Sequence, residues 1–250
     1  MYLPCFESLI HTSNRVVNRN SGILGHYWNP LFPSCLLAIS LANRQSFWMD
    51  WAYKEMANKS ISMRQWKDED IESFAEMNAD LEVMRFLPKP LTRAESAEFM
   101  ARLCARIDER GWGLWAVEVD GICAGFTGLA VPPFSAHFTP CVEIGWRFRR
   151  EYWGLSIAYS AALAAEAFAF DKLKLPELIS FTTAGNARSR RLMERLGLSR
   201  REQDDFLHPV LPAESPLRPH VLYRKRAIDW RESAADVAIL PAVRPKDTGR

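Results

Sequence analysis

The sequence predicts a mixed α/β sheet, and three observations carry that reading. Two apolar runs, 113–119 and 122–131, flank Asp120 and Gly121, the dipeptide that most favours a two-residue hairpin. Further along, an alanine-rich helical stretch reaching about Phe170 is followed by a short buried strand over 178–183, a strand-helix-strand crossover. Regular patterning of one kind or the other begins at about residue 56 and runs to about 230. Hairpins early and a crossover late exclude a doubly wound parallel sheet.

Each element has its own local reason. In 60–66, Ile61 and Met63 alternate with polar residues as on a half-buried strand. Asp68 can cap a helix reaching Asn78, whose apolar side is Ile71, Phe74, Ala75 and Met77. Thr92 with Glu95 three residues on forms a capping box for a second helix, where Phe99, Leu103 and Ile107 recur every four residues. Pro132, Pro133 and Pro140 delimit an irregular connection before a strand over 142–148. A helix over 187–196 is stopped by Gly197, and 220–228 reads as a final strand.

The two ends differ from this middle. Residues 1–55 are about half as densely charged as the remainder and show neither helical nor strand periodicity, so they read as a loosely ordered leader or as sequence upstream of a start at Met56. Residues 56–230 form the folded domain, and 231–250, without periodicity from Glu232, read as a frayed tail.

Composition narrows the function. The net charge of +2 argues against nucleic acid or an anionic membrane as partner. The apolar run 31–42 holds twelve residues broken by Pro33, short of the roughly 20 that cross a bilayer, and is badly placed for a signal peptide. Five scattered cysteines without CxxC pairing fit a reducing, cytoplasmic setting; no metal site is expected. His137, His208 and His220 are dispersed, without metal-ligand spacing.

The segment 142–158 carries the first chemical signal. A strand runs into a loop, Arg149-Arg150-Glu151-Tyr152-Trp153-Gly154-Leu155-Ser156, and the loop opens a helix. Free N–H groups at a helix start, with the positive end of its dipole, suit a pyrophosphate. Gly154 permits close backbone approach, Ser156 is small, and Arg149 and Arg150 carry charge for phosphate. A second segment, running from Asn186 through Ser189 and Met193 to Leu196, Gly197 and Leu198, also follows a strand and opens a helix.

Together these two segments resemble the GNAT N-acetyltransferases, the first as their pyrophosphate loop and the second as their Asn-x-x-Ser/Ala helix. Met84-Arg85-Phe86-Leu87, Glu143-Ile144-Gly145-Trp146 and His220-Val221-Leu222-Tyr223 narrow the resemblance to the RimJ/RimL-type branch of protein N-terminal acetyltransferases, over about residues 58–229. The resemblance implies a mixed, mostly antiparallel sheet splayed between its fourth and fifth strands, with helices on both faces and the pantetheine arm in the gap. It implies acetyl-CoA as cosubstrate without a metal, and an amine acceptor, a peptide N-terminus or a small molecule, taken by a monomer or homodimer. The implied cofactor residues are Arg147, Phe148, Arg149, Arg150, Trp153, Gly154, Leu155, Ser156, Asn186 and Ser189.

The chain departs from that pattern twice. Ser156 stands where a second glycine is usual, and Met193 replaces the tyrosine that protonates the leaving thiolate in many relatives; Ser189 or a water can take that role. Glu143 is the candidate general base, projecting from the sheet face opposite Ile144 and Trp146, though a solvated strand carboxylate fits the same pattern. Ser189 likewise reads as catalytic or as a helix-start hydroxyl. Backbone N–H groups near Arg147 to Arg149 are expected to polarise the thioester carbonyl. The acceptor pocket is expected from the first two helices, the 132–140 connection and the proline-rich segment 206–219. The alternative function is a coenzyme A-binding sensor or scaffold without catalysis, motivated by Met193 and Ser156.

Overall fold

The computed structural model describes residues 10–12 and 60–236, with side chains over 60–231; apart from 10–12, the leader with its apolar run 31–42 and the end of the tail lie outside the described residues. The strands are β1 (Ile10–Thr12), β2 (Ile61–Arg64), β3 (Leu114–Val119), β4 (Ile122–Ala130), β5 (Glu143–Phe148), β6 (Glu177–Thr183), β7 (Ser199–Arg200), β8 (Phe206–Leu207) and β9 (Pro219–Arg226). The helices are α1 (Ile71–Ala79), α2 (Arg93–Arg110), α3 (Ile157–Ala167), α4 (Ala187–Arg195) and α5 (Ala227–Asp236). They form one sheet in the order β1-β2-β3-β4-β5-β6-β9-β7, with β8 also on β9. Every pairing is antiparallel except β5 with β6. Those two strands share a single register pair, Glu143 with Ile179, and then diverge. This is the expected mixed sheet with its splay between the fourth and fifth predicted strands.

The local signals that needed only neighbours along the chain hold. Asp120 and Gly121 both have positive φ, 51° and 86°, as a type I′ turn demands. The Thr92 hydroxyl accepts from Glu95 N–H at 3.1 Å, while Glu95 accepts from Thr92 N–H at 2.8 Å, and α2 ends on Gly111 in the left-handed region. The cap expected at Asp68 differs. A 3-10 turn over Asp68–Asp70 precedes α1, and it is the Asp70 carboxylate that accepts from Lys67 N–H, because Asp70 is also drawn inward by Arg64.

Two further differences concern the C-terminal third. The tail expected from Glu232 is helical through Asp236, since α5 starts on a bond from Arg226 N–H to Asp229 and stacks Trp230 on Phe170. Segment 199–207, read without elements, contributes the two-residue strands β7 and β8. Strands that short bury no alternating face and leave no periodic trace.

The helices cover both faces. Phe74 of α1 and Phe99 of α2 pack on Phe126 of β4, with ring centroids 6.0 and 6.3 Å apart. On the other face, Ala162 and Ala165 of α3 and Met193 of α4 share a core with Leu129, Ile144 and Leu178. Alanines on α3 bring its backbone close to the sheet, which sets the start of α3 beside the end of β5.

Candidate active site

The loop from β5 into α3 has the form of an anion cradle. Gly154 and Ser156 both sit in the left-handed region, at φ 78° and 57°. A Cβ placed on Gly154 would meet nothing within 4 Å, so the space above it is open. The first bond within α3 is Ser160 N–H to Ser156 O, which leaves the N–H groups of Ile157, Ala158 and Tyr159 without intrahelical partners. Trp153 ties the loop to the strand by donating from Nε1 to Phe148 O at 2.9 Å. Phosphate-bearing coenzyme A fits this arrangement of open glycine and free donors.

The arginines divide differently from expectation. Arg149 pairs with Glu76 and Glu151, and Arg150 with Asp80, so both side chains fasten the loop to α1 or to itself. Positive charge at the cradle comes from α4 instead. The Arg188 guanidinium lies 4.0 Å from the Trp153 ring centroid, and Arg195 lies 3.9 Å from that of Tyr159 while donating to Ser156 Oγ. Neither forms an ion pair among the described residues. Leu155 is half-buried within the loop.

Arg147 does not join the cradle. Its neighbour in register is Phe126, and it points with that residue toward α1 and α2, where the guanidinium sits 5.2 Å from the Phe126 ring and 5.8 Å from that of Phe99. It is 7% exposed and donates to Asn78 Oδ1, and burial pushes it down to about 9. The backbone donors also sort by parity. Arg149 N–H is bonded to Ala124 O, so antiparallel alternation turns Arg147 N–H toward β4 as well. The N–H groups that face the splay belong to Trp146 and Phe148, the even members of β5.

On α4, Asn186 caps the helix by accepting from Ser189 N–H at 3.2 Å, and its amide donates to Thr182 Oγ1. The Ser189 hydroxyl is half-buried and has no hydrogen bond among the described residues. Met193 is 1% exposed and faces the core, so it offers no proton near the gap.

Glu143 is the most telling residue. It is 2% exposed, and among the described residues its carboxylate makes neither a hydrogen bond nor an ion pair. Burial alone raises it well above the ordinary carboxylate value. A buried acid left unpaired costs free energy unless something else uses it. Its strand partner Ile179 belongs to a cluster with Phe138, Leu222, Phe134, Phe181 and Phe206. Phe134 and Phe138 come from the predicted proline-bounded connection and Phe206 from the predicted 206–219 wall, so the two segments meet. His208 and His220, distant in sequence, join them with ring centroids 4.9 Å apart. Burial, then the neighbouring His220, push His208 down to about 4, and its Nδ1 is buried without a partner. Nothing in the spacing of the two histidines signalled this, because the contact is made by β8 and β9 pairing.

Three cysteines among the described residues are free, and burial pushes Cys123 and Cys141 up to about 12, consistent with inert thiols. No helix among the described residues is long and apolar enough to cross a membrane.

A splayed β5–β6 gap with an anion cradle at one end defines a class, the coenzyme A-dependent acyltransferases of GNAT fold. The acetyltransferase (GNAT) domain family matches residues 60–199, and the chain belongs to that family. Among curated relatives, it is 30% identical over 131 residues to the FsC-acetyl coenzyme A-N(2)-transacetylase of Aspergillus fumigatus, covering 49% of this chain and 55% of that protein. It is also 30% identical over 94 residues to the uncharacterized protein YkkB of Bacillus subtilis, covering 36% and 54%. The chain thus spans about half the length of these relatives. Among solved structures, a GNAT-family acetyltransferase of Bacillus anthracis superposes with a TM-score of 0.56 at 22% identity, over 67% of this chain and 95% of that one. RimL, a ribosomal-protein alpha-N-acetyltransferase solved with coenzyme A, superposes with a TM-score of 0.53 at 11% identity, over 66% and 93%. Both likenesses speak to the fold.

Proposed function

We propose that this protein transfers acetyl from acetyl-CoA to a primary amine by direct attack in a ternary complex, with Glu143 as general base. The unpaired, buried Glu143 carboxylate at the mouth of the splay carries this reading. Acetyl-CoA supplies the activated acetyl group. Gly154, Leu155, Ser156 and the first turn of α3 hold its pyrophosphate, with Arg188 and Arg195 neutralising charge. Phe148, Arg149, Arg150 and Trp153 contribute backbone and loop shape, and Asn186 orients the start of α4.

The chemistry asks little of the protein beyond positioning and proton handling. An ammonium must lose a proton, and the Glu143 carboxylate, whose proton affinity burial raises, accepts it directly or through water. The amine nitrogen bonds to the carbonyl carbon while Trp146 or Phe148 N–H polarises the carbonyl oxygen. The C–S bond then breaks, and the leaving thiolate takes a proton from Ser189 or from water it holds. The acceptor is a peptide N-terminus, as in the RimJ/RimL-type branch, or a small amine, and the setting is cytoplasmic.

The test is release of free coenzyme A thiol from acetyl-CoA, followed across peptides and small amines, beside melting with and without cofactor. A ligand at about 100 times its dissociation constant stabilises by roughly 2.7 kcal/mol, enough for a plain upward shift. Turnover with any amine supports the proposal. Cofactor binding without turnover across the whole panel would leave the sensor reading in its place.

A further inference from the structure

β5 carries two charged side chains on one face, Glu143 and Arg147, and neither has a counter-ion among the described residues. Between them on the same face stands Gly145, whose register partner on β4 is Gly128. Cross-strand partners point to the same side, so the face reads Phe126 with Arg147, then the two glycines, then Ala130 with Glu143. On this face the two glycines place no side chain between an acid and a guanidinium that both lack a counter-ion among the described residues. Four residues of extended strand separate their Cα atoms by about 13 Å.

Arg147 is unusual even for a buried arginine. A guanidinium has five N–H donors, and here the hydrogen bond given by the side chain goes to Asn78 Oδ1. Asn78 is itself fully buried and spends its amide on Ser96 Oγ at 3.2 Å. The Phe99 and Phe126 rings attract the cation but satisfy no donor. By contrast, the buried Lys225 has its carboxylate, Glu166, at 3.0 Å. A buried charge without a counter-ion is costly, and a carboxylate brought by a ligand would offset that cost.

Resting on the acetyl-transfer reading above, we propose that the acceptor is an amine that also bears a carboxylate. Its ammonium faces Glu143, its chain crosses the Gly128–Gly145 floor, and its carboxylate completes Arg147. Arg147 is then a specificity-determining residue, and the acceptor is a small amino-acid-like molecule whose two charges are several bonds apart. A peptide N-terminus without an acidic group would leave Arg147 unpaired.

The experiment compares straight-chain ω-amino acids of increasing length with their primary amides, each paired at equal length. Coenzyme A release gives kcat/KM on the full chain, and calorimetry gives binding of each amine to the chain saturated with coenzyme A. The acid should exceed its amide at least ~10-fold at the best length, the scale of one charge-assisted hydrogen bond. Arg147→Gln should bring that ratio to about one with acetyl-CoA affinity unchanged. Asn78→Asp gives Arg147 an internal counter-ion, and should also abolish the preference without loss of melting temperature, which covers the case in which Arg147→Gln fails to fold. Amides turned over as well as acids, or a ratio that survives both variants, would overturn the proposal while leaving acetyl transfer intact. If coenzyme A itself fails to bind, acetyl transfer falls, and calorimetry of the same pairs on the chain alone still decides for or against Arg147.

Discussion

Glu143 on β5 and Ile179 on β6 form the single register pair between the two parallel strands, and the strands part immediately beyond it. The pair joins opposite characters. Ile179 is 1% exposed and sits in an aromatic cluster with Phe138, whereas Glu143 brings an unpaired carboxylate to the same face. The point at which the sheet opens is thus also the point at which a buried carboxyl group is presented in an apolar wall.

Replacing Glu143 by Gln should separate chemistry from cofactor binding. Turnover should fall by roughly 100-fold, the lower range for one general base, while acetyl-CoA affinity stays the same. The rising limb of the rate against pH should disappear with the carboxylate. Burial favours the neutral form, so the folded chain holds the Glu143 proton more tightly than the unfolded one. Its contribution to stability is full below the ordinary carboxylate value of 4.5 and is lost as pH rises through the raised one. Glu143→Gln should therefore raise the melting temperature relative to the parent chain at alkaline pH and not in acid. Glu166, raised to about 7, has the same sign in both proteins and cancels in the comparison. A parallel offset at every pH would show that Glu143 is not the titrating group.

At the cradle, Gly154→Trp should abolish acetyl-CoA binding and leave folding intact. The side chain enters open space, so nothing in the protein must move to admit it, although φ 78° adds some strain. Calorimetry with acetyl-CoA checks this, and unchanged affinity would remove the loop from the cofactor site. Arg188→Ala and Arg195→Ala should each weaken binding more than Arg150→Ala does. Arg150 is already committed to Asp80, whereas the two α4 arginines face the loop without carboxylate partners.

Gly125→Ala should be among the most damaging single changes to the fold. A Cβ there would lie 2.3 Å from Arg147 O and 2.7 Å from Phe148 Cα, both backbone, at φ 150°. Neither atom can retreat without breaking the β4–β5 pairing that carries Glu143. Loss above 4 kcal/mol is expected from urea unfolding, or failure to accumulate as folded protein. A loss under 1 kcal/mol would mean that the strands approach less closely than described.

Much of this arrangement was legible before any coordinates, and the parts that were not share a cause. Caps and turns involve residues within four positions of each other, so Thr92 with Glu95, and Asp120 with Gly121, could be read directly. The strand alternation placed Glu143 opposite Ile144 and Trp146, but it could not tell a solvated carboxylate from a buried one, because burial depends on what packs above it. The ion pairs of the loop arginines are hidden from the sequence for the same reason. Asp80 lies seventy positions from Arg150, and no local pattern shows that this carboxylate reaches the loop. His208 and His220 meet only because β8 turns back onto β9, and Phe206–Leu207 is too short to announce itself as a strand. Local chemistry was visible, and long-range pairing was not.

The Lys225–Glu166 pair should show the energetic logic that Arg147 lacks. Lys225 is 4% exposed and Glu166 is fully buried, and the ammonium also donates to Leu196 O at the end of α4 and lies 5.1 Å from the Trp230 ring. One side chain thus fastens β9, α3, α4 and α5 together. Lys225→Met removes the cation and leaves the Glu166 carboxylate, one oxygen of which already lacks a partner, alone in the core. Breaking such a pair typically costs about 3–5 kcal/mol, whereas replacing both members by apolar groups of similar volume is often neutral or stabilising. Lys225→Met should therefore lower stability by about 3–5 kcal/mol in urea unfolding, and adding Glu166→Leu should recover most of it. If the double variant is as unstable as the single one, the stability lies in the tie to Leu196 O and not in the ion pair.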